Sequence, residues 1–291
     1  MIWVVGAGGM LGQDVVRRLD TLGLPHVDTD VDCNICDPAA VRSYAADRSL
    51  DWIVNCAAYT GVDKAEDEEE KADTINAIGP ANLGRVASEF GARVIHLSTD
   101  YVFGGKASTP YTEESSPEPQ GAYGRTKARG EKFLAEATDK HFIVRTAWLY
   151  GGRGGNFVST MLRLMTERNE VMVVDDQFGS PTYTRDLAAA LCKIISTDAR
   201  AYGIYHYTNE GETTWFHFAR RIYELGRASA RIRHVCKVRP ITTDLYPTKA
   251  VRPRYSVLSK KKIAKVFGIV IPSWQDGLER YFAELGSEES K

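Results

Sequence analysis

The chain has 291 residues, 43% of them hydrophobic, and its 37 lysines and arginines nearly balance its 38 aspartates and glutamates. That size allows one large α/β unit with a sizeable core, while the composition excludes disorder and the charge balance gives no support to a nucleic-acid partner. Five scattered cysteines, no basic and apolar leader, and no apolar run of about 20 residues predict a reduced, cytoplasmic protein without a membrane partner.

Short β-branched runs alternate with longer amphipathic stretches through the first two thirds of the chain. The predicted strands are residues 2–5, 26–29, 52–56, 93–98, 142–146 and 172–174. The predicted helices are residues 11–22, 39–47, 65–90 and 126–137. This alternation is typical of an α/β fold with a doubly wound parallel sheet of the Rossmann type.

The regular alternation of predicted strands and helices ends near residue 150. There a glycine-rich loop at 151–155 precedes prolines that divide the chain into shorter pieces. We predict a dinucleotide-binding domain at residues 1–150, completed by a returning segment near 183–210 that contains a strand at 204–208. We expect residues 151–182 and 211–291 to form a smaller C-terminal substrate lobe, with a frayed end at 287–291.

A glycine-rich turn, with Gly6, Gly9 and Gly12 in the spacing GxxGxxG, follows the first predicted strand and opens a helix. A reading that starts from Gly6 and Gly8 fits less well. Such glycines let backbone N–H groups approach a pyrophosphate at a helix N-terminus; a tight turn without a ligand is the alternative.

The second predicted strand ends at Asp28 and Asp30, about 20 residues beyond the turn. A carboxylate there can accept hydrogen bonds from the ribose of NAD and would repel a 2′-phosphate. We therefore expect NADH or NADPH as the cofactor, and the carboxylate favours NADH.

Tyr123 and Lys127 stand four residues apart at the start of a predicted helix, so both project from one face. A phenol with a pKa of about 10 is a poor acid at neutral pH, and a neighbouring ammonium is expected to lower that pKa. Thr99 ends an earlier strand, where a hydroxyl can polarise a substrate carbonyl. The order of glycine turn, Thr99, Tyr123 and Lys127 favours a reductase over a solvated helix face.

Several strings in the same order resemble the extended short-chain dehydrogenase/reductases and, more narrowly, the dTDP-4-dehydrorhamnose reductases. They are residues 6–12 (GAGGMLG), 55–66 (NCAAYTGVDKAE), 98–103 (STDYVF), 123–127 (YGRTK), 145–151 (RTAWLYG), 156–157 (NF), 176–182 (DQFGSPT) and 252–256 (RPRYS). The likeness therefore covers most of the chain, and STDYVF and DQFGSPT are its most specific strings.

The resemblance implies reduction of the C4 ketone of dTDP-4-dehydro-6-deoxy-L-mannose to dTDP-L-rhamnose, so the expected small-molecule partner is a nucleotide sugar. It implies the catalytic residues Thr99, Tyr123 and Lys127. The cofactor contacts that it implies, together with those expected from the glycine turn and Asp30, are Gly6, Gly9, Met10, Leu11, Gly12, Asp30, Asn34, Ile35, Ala57, Ala58, Tyr59, Tyr123 and Lys127. The expected substrate contacts are Thr99, Asp100, Val102, Trp148, Asn156 and Arg252.

Other motifs have plainer interpretations. The pair Cys33 and Cys36 has CxxC spacing without a second pair, so we interpret it as a coincidence rather than a redox or zinc site. The acidic run at residues 66–71 is predicted to be a solvated helix face. Arg252 suits bidentate contact with a diphosphate, and a surface ion pair is the alternative. Trp215, Phe216 and Phe218 are expected to pack the smaller lobe.

Three alternatives stay open at this stage. Some members of the family form magnesium-bridged dimers, which leaves a homodimer open here, but no acidic set matches their ligands and we predict no metal. The activity could be that of another nucleotide-sugar 4-ketoreductase or an epimerase. A non-catalytic NAD(P)-binding regulatory subunit, resembling that of methionine adenosyltransferase, is the rival from another class.

Overall fold

The computed structural model describes residues 1–152, 154–197 and 200–288, with only the backbone of the last two. Within them the strands are β1 (Ile2–Val5), β2 (His26–Thr29), β3 (Trp52–Asn55), β4 (Arg93–Thr99), β5 (His141–Thr146), β6 (Leu149–Tyr150), β7 (Glu170–Val174), β8 (Phe178–Gly179), β9 (Thr182–Tyr183), β10 (Gly203–His206), β11 (Thr213–Thr214) and β12 (Lys237–Ile241). The helices are α1 (Met10–Leu22), α2 (Pro38–Ala46), α3 (Glu69–Asp73), α4 (Gly79–Phe90), α5 (Ala122–Ala137), α6 (Phe157–Glu167), α7 (Thr184–Ser196), α8 (Trp215–Ala228), α9 (Lys261–Phe267) and α10 (Trp274–Glu288).

The central sheet contains six strands in the order β10-β5-β4-β3-β1-β2, and every neighbouring pair is parallel. The chain leaves β1 for β2 on one side and then crosses to β3 on the other. The order therefore reverses beside β1, and doubly wound sheets bind ligands at the carboxyl ends of the strands at such a point. The predicted α/β fold with a doubly wound parallel sheet is confirmed.

Helices cover both faces of this sheet. Along β1 and β3 the side chains alternate: Val4 and Val54 pack in the core beneath α1 and α7, whereas Trp3 and Ile53 pack in the core beneath α2 and α4. Strands buried on both faces read as continuous apolar runs, which is why the sequence predicted them. Helix α9 also packs in the first of these cores.

The predicted strand at residues 172–174 lies within β7, but it is not part of the central sheet. Strand β7 pairs instead with β12 in a separate two-stranded parallel sheet. A core separate from those on the two faces of the central sheet surrounds this region; we call it the second core, and Phe216 and Phe218 are buried in it as predicted. The proposed boundaries of the two domains stay a prediction.

The predicted helix at residues 65–90 is broken into pieces. A 3-10 turn (Lys64–Glu66), α3, a π-helical turn (Thr74–Ile78) and α4 follow one another. Pro80 lacks an N–H and its ring clashes with a carbonyl four residues earlier in a regular helix, so the turn before it widens.

Two predicted segments extend outside the described residues. Arg153 of the glycine-rich loop and residues 289–291 of the predicted frayed end are not described. Helix α10 reaches Glu288, so the helix continues into the segment that was expected to fray.

Candidate active site

The glycine turn between β1 and α1 has no room for side chains at Gly6 and Gly12. Gly6 has φ +76°, and a Cβ built there would lie 2.6 Å from the Ala57 nitrogen. A Cβ at Gly12 would collide with the Gly6 carbonyl oxygen. Gly9 is the N-cap of α1, and no side chain caps that end. The GxxGxxG spacing is therefore the one that shapes the turn, and it leaves backbone donors for an anion.

Met10 and Leu11 occupy the first turn of α1. Leu11 is buried in the core beneath α1, so only its backbone can face a phosphate. Met10 is half-buried, and its sulfur lies 3.8 Å from the side-chain nitrogen of Asn156. This contact places Asn156 beside the turn.

A cleft of about 620 Å³ opens beside this turn, between β2 and α1. Its acidic lining residues are Asp20, Asp28, Asp30 and Asp32. The Asp30 carboxylate covers Gly8, because a Cβ built at Gly8 would collide with it. Arg17 lines the same cleft and forms an ion pair with Asp14 at 3.3 Å. The end of β2 therefore presents carboxylates at the place where a dinucleotide ribose binds in this fold.

Asn34 and Ile35, expected near the adenine, have different environments. Asn34 is exposed, and its side-chain oxygen accepts a hydrogen bond from the Cys36 nitrogen at 3.0 Å. Ile35 is buried against Gly79 at the start of α4, so its side chain is not presented to an adenine ring. Cys33 and Cys36 are free thiols.

The segment after β3 lies against the glycine turn. Ala57 and Ala58 are half-buried, and the Ala57 nitrogen donates to the Asn55 side-chain oxygen at 3.1 Å. The backbone of Tyr59 is held by the Asn76 side chain, which accepts from its nitrogen at 2.9 Å and donates to its oxygen at 3.1 Å. Asn76 also donates to the Thr126 hydroxyl at 3.2 Å, so it joins this segment to α5.

Thr99 lies at the carboxyl end of β4, and Tyr123 and Lys127 lie in the first two turns of α5. Helix α5 begins at Ala122, which places Tyr123 in its first turn and Lys127 one turn later. The Thr99 hydroxyl lies 3.0 Å from the Asp100 carboxylate, and it shares a hydrogen bond with Tyr123 that lowers the phenol pKa. The structure thus brings the Thr99 and Tyr123 side chains into contact, whereas the Lys127 amine, one helical turn further along α5, contacts the Leu97 carbonyl.

The titration of the pair differs from the prediction. Burial raises the pKa of Tyr123 above its ordinary value, and the charges of Asp100 and Tyr101 add to the rise. The Lys127 amine donates to the Leu97 carbonyl at 2.6 Å, and burial lowers its pKa to about 8. The expectation that Lys127 lowers the phenol pKa is therefore wrong for this structure, and Thr99 provides the stabilising hydrogen bond.

Asp100 and Val102 have different environments. Asp100 is 2% exposed, burial raises its pKa to about 6, and its Oδ2 has no hydrogen-bond partner among the residues that the structure describes. Val102 is fully buried with Phe103 and Leu258, and its carbonyl accepts from the Glu118 nitrogen at 2.8 Å. The expected substrate contact at Val102 is corrected, since neither its side chain nor its carbonyl is free to face a sugar.

Trp148 is held in an unusual backbone conformation. Its φ of 48° lies in the left-handed region, which costs about 1–3 kcal/mol for such a residue. Its ring stacks on Trp215 with centroids 3.5 Å apart, and a Cβ at Gly179 would lie 2.5 Å from it. Trp215, expected only to pack the smaller lobe, thus also supports Trp148.

Asn156 and Arg252 are both engaged by other residues. The Asn156 side chain accepts from the Ser159 nitrogen as the cap of α6, and its own nitrogen donates to the Gly151 carbonyl at 3.0 Å. Arg252 pairs with Asp63 at 2.5 Å and donates to the Tyr101 hydroxyl at 3.0 Å. It also lines a second cleft, of about 580 Å³, together with Lys106, Phe178, Arg254 and Tyr255.

The acidic run at residues 66–71 is only in part the solvated face that was expected, since Asp67, Glu70 and Lys71 are exposed but other members contact α5. Glu66 accepts from the Ala122 nitrogen at 2.8 Å and so caps α5, while Glu69 accepts from Arg125 at 2.7 Å. Asp67 pairs with Lys249. The run therefore holds the helix that carries Tyr123.

Sequence reasoning missed the roles of Asn76 and Glu66. The pair Gly79-Pro80 was the available signal, because it predicts an irregular turn beside Asn76. Nothing local identified Glu66 as a cap, since its partner lies 56 residues later.

The comparison with known proteins decides the family. A family model described as "RmlD substrate binding domain" matches residues 1–287. The chain belongs to this family.

Three proteins similar to this chain illustrate the likeness. The dTDP-4-dehydrorhamnose reductase of Escherichia coli is 40% identical over 98% of this chain and 97% of its own. The dTDP-4-keto-6-deoxy-D-glucose reductase of Streptomyces niveus is 40% identical over 99% of both. A crystal structure of dTDP-4-dehydrorhamnose reductase from Bacillus anthracis in complex with NADP superposes with a TM-score of 0.91, at 39% identity over 97% of this chain and 98% of its own.

Neither a metal-binding cluster nor a membrane-spanning helix is present in the described part of the chain. It contains no group of three or more histidine, cysteine or acidic side chains that could hold a metal ion. No helix within it is long and apolar enough to cross a bilayer.

Proposed function

We propose that this RmlD-family protein reduces the C4 ketone of dTDP-4-dehydro-6-deoxy-L-mannose to dTDP-L-rhamnose with NADH or NADPH. The observation that carries the proposal is the hydrogen bond between Thr99 at the end of β4 and Tyr123 on α5, with Lys127 one helical turn further along the same helix. A non-catalytic regulatory role would not need this set. The name of the E. coli relative supports the choice of sugar.

The glycine turn fits a dinucleotide pyrophosphate. Side chains at Gly6 and Gly12 would fill the cradle, and the N-terminus of α1 has no side-chain cap. Gly9, Met10 and Leu11 would offer backbone N–H groups, while Ala57, Ala58 and Tyr59 would border the nicotinamide. A bound nicotinamide supplies the hydride that C4 receives.

The proton at the ketone oxygen comes from this chain. Tyr123 keeps its hydroxyl proton at neutral pH, because burial raises its pKa, and donates it as the carbonyl becomes an alcohol. Thr99 orients the carbonyl and stabilises the phenolate that remains. The Lys127 ammonium would bind the nicotinamide ribose and add positive charge beside the site.

The sugar nucleotide would lie between the strand ends and the second cleft. Trp148 offers an aromatic face to the hexose, and Asp100 and Asn156 offer polar contacts. Lys106, Arg252 and Arg254 give this cleft the positive charge that a diphosphate needs. In this proposal Arg252 exchanges Asp63 for the diphosphate.

Replacement of Tyr123 by Phe tests the function. The substrate is made from dTDP-glucose by a dehydratase and an epimerase, and NADH absorbance is followed. Tyr123→Phe should lose about 10²–10⁴-fold in turnover and still bind NADH, because only the proton donor is removed. Tyr223→Phe, whose hydroxyl contacts the Cys236 nitrogen in the second core, is the matched control and should retain activity. Full turnover by Tyr123→Phe would refute the proposal.

A second candidate is reduction of a 4-keto sugar with other stereochemistry. The S. niveus relative is as similar as the E. coli one and is named for a D-glucose-derived ketone. Offering the 4-keto sugar with and without the epimerase separates the two, and NMR of the product identifies the sugar.

The finer organisation is also a proposal. We place the dinucleotide in the domain at 1–150 with its returning segment near 183–210, and the sugar nucleotide against 151–182 and 211–291. We further propose a cytoplasmic location and allow a homodimer, which size measurements in solution would test.

A further inference from the structure

Three buried polar side chains form a row beneath the candidate active site. Asn55 ends β3, His96 lies in the middle of β4, and Lys127 reaches down from α5; their exposures are 1%, 0% and 1%. The Asn55 side-chain nitrogen lies 3.0 Å from His96 Nδ1, and His96 Nε2 lies 3.4 Å from the Lys127 amine. None of the proposed chemistry uses His96.

The hydrogen bonds of this row fix the position of the imidazole proton. The Ala57 nitrogen donates to the Asn55 side-chain oxygen, so the other end of that amide is an N–H donor that points at His96 Nδ1. Nδ1 must therefore accept. Because burial also keeps the ring neutral, its one proton lies on Nε2, facing Lys127.

An N–H that faces Lys127 distinguishes the two states of the amine. A neutral amine can accept that N–H through its lone pair. An ammonium has no lone pair, so its N–H groups would face the His96 Nε2–H with no acceptor between them. The hydrogen bond that the Lys127 amine donates goes instead to the Leu97 carbonyl, at 2.6 Å.

We propose that His96 is a positioning residue which, held by Asn55 with its proton on Nε2, favours the neutral amine of Lys127 and so sets the pH at which the site loses its positive charge. The inference rests on the proposed function, because it concerns the Lys127 ammonium of that reductase site.

Other groups around Lys127 act in the opposite direction. The charge of Glu131 on α5 and the thiol of Cys56 after β3 both raise the pKa of the lysine, against the dominant effect of burial. Glu131 is itself neutralised by Arg145 of β5 through two hydrogen bonds, at 2.8 and 2.6 Å. His141 contributes to the neutrality of His96. His96 thus acts on a lysine whose nearest carboxylate is already paired.

The tautomer can be measured on the unaltered protein. Nitrogen-15 NMR of histidine-labelled protein, with His96 assigned by through-bond correlation to its backbone, separates the Nδ1–H, Nε2–H and doubly protonated rings. We expect His96 to be neutral with its proton on Nε2 between about pH 6 and pH 9. A proton on Nδ1, or a charged ring, would overturn the inference without touching the proposed activity.

Asn55→Asp should reverse the tautomer. A carboxylate at position 55 can only accept, so the ring must carry its proton on Nδ1 and turn the Nε2 lone pair toward Lys127. The pH at which kcat/KM falls on the basic side of its profile should then rise by about one unit or more. The same rise is expected for the pH at which NADH affinity, measured by fluorescence, falls.

The added charge of Asn55→Asp would also raise the lysine pKa, so the same change is made in a His96→Leu background. Only the charge effect survives there, and the upward shift should be clearly smaller. His234→Gln, at a histidine that contacts the Arg168 carbonyl away from the site, is the control and should leave both pH profiles unchanged. Equal shifts in the two backgrounds would refute a role for His96. Absence of turnover in the unaltered protein would instead refute the proposed function.

Discussion

Tyr123 and Lys127 lie one helical turn apart, and burial affects their two protonation equilibria in opposite directions. It raises the pKa of the phenol and lowers that of the amine to about 8. A charged group is disfavoured in a buried site, so each side chain shifts toward its neutral form. Near neutral pH the phenol is a proton donor, and the amine is the group whose charge changes.

The first prediction concerns pH. The pKa of Lys127 is lowered, so its ammonium is present below about pH 8 and is lost as the pH rises through that value. We expect kcat/KM for ketone reduction to fall over the same range, measured as NADH consumption in buffers of constant ionic strength. The arginine in Lys127→Arg stays charged over this range, so any activity that the variant retains should not fall as the pH rises through about 8. A profile that is flat to about pH 10 would contradict the assignment.

The second prediction concerns the choice of cofactor. Asp30 covers Gly8 within a cleft that contains three other carboxylates, and its one basic lining residue, Arg17, pairs with Asp14. We expect NADH to bind more tightly than NADPH. Asp30→Asn should reduce the ratio of the NADPH to the NADH dissociation constant by about tenfold, which corresponds to about 1.4 kcal/mol. Glu279→Gln on α10 is the control. Tighter binding of NADPH by the unaltered protein would contradict the prediction.

At the level of single residues, sequence spacing predicted what is local. Gly6, Gly9 and Gly12 follow from one turn, and the Tyr123–Lys127 pair follows from helical periodicity. Glu66 and His96 could not be recognised, because each acts on a partner more than thirty residues away.

Helix α5 is the element on which the site depends. Its first turn is capped from outside by Glu66, and its middle carries a buried ion pair between Glu131 and Arg145 of β5. Ser98 of β4 donates to the same glutamate at 2.5 Å. The helix is thereby fixed to the two strands whose ends form the catalytic edge.

The third prediction removes this pair from one side. Glu131→Gln leaves the Arg145 charge buried without its counter-ion, and we expect the free energy of unfolding to fall by about 3–5 kcal/mol in urea titrations. Glu136→Gln removes an exposed carboxylate 3.8 Å from Lys132 on the same helix and should change stability by about 0.5 kcal/mol at most. Similar losses in both variants would show that the buried pair has no special role.

At the level of elements, the central sheet was predictable and the helix between residues 65 and 90 was not. Strands such as β3 are continuous apolar runs, whereas the break before α4 depends on packing as well as on Pro80. A Cβ at Gly130 of α5 would collide with the Asn76 carbonyl, so the π-helical turn fits only against a helix with a glycine at that point.

The sheet core beneath α1 and α7 and the second core are joined through the first turn of α7. Thr184 donates to Asp14 of α1 at 2.5 Å, and Arg185 pairs with Glu284 of α10 at 2.6 Å. Asp186 accepts two hydrogen bonds from Arg280, both at 2.7 Å. One turn thus connects the helix beside the glycine turn to the helix that closes the second core.

The fourth prediction concerns this junction. Asp186→Asn should weaken the contact with Arg280 and lower the free energy of unfolding by about 1–3 kcal/mol. Because the junction couples the cores, we also expect near-ultraviolet circular dichroism and tryptophan fluorescence to give separate midpoints. Asp276→Asn, which removes only the exposed partner of Arg280, is the control. Coincident midpoints in Asp186→Asn would contradict the coupling.

Trp148 belongs to the loop at the end of the central sheet, and Trp215 begins a helix of the second core. Their rings are stacked and nearly parallel, with an interplanar angle of 10° and centroids 3.5 Å apart. Two indoles so close exchange excitation energy, so the pair reports the distance between the loop that carries Trp148 and the start of α8. Any movement of this loop relative to α8 must slide or part the stack, and the exciton couplet of the pair would record that movement without an added dye.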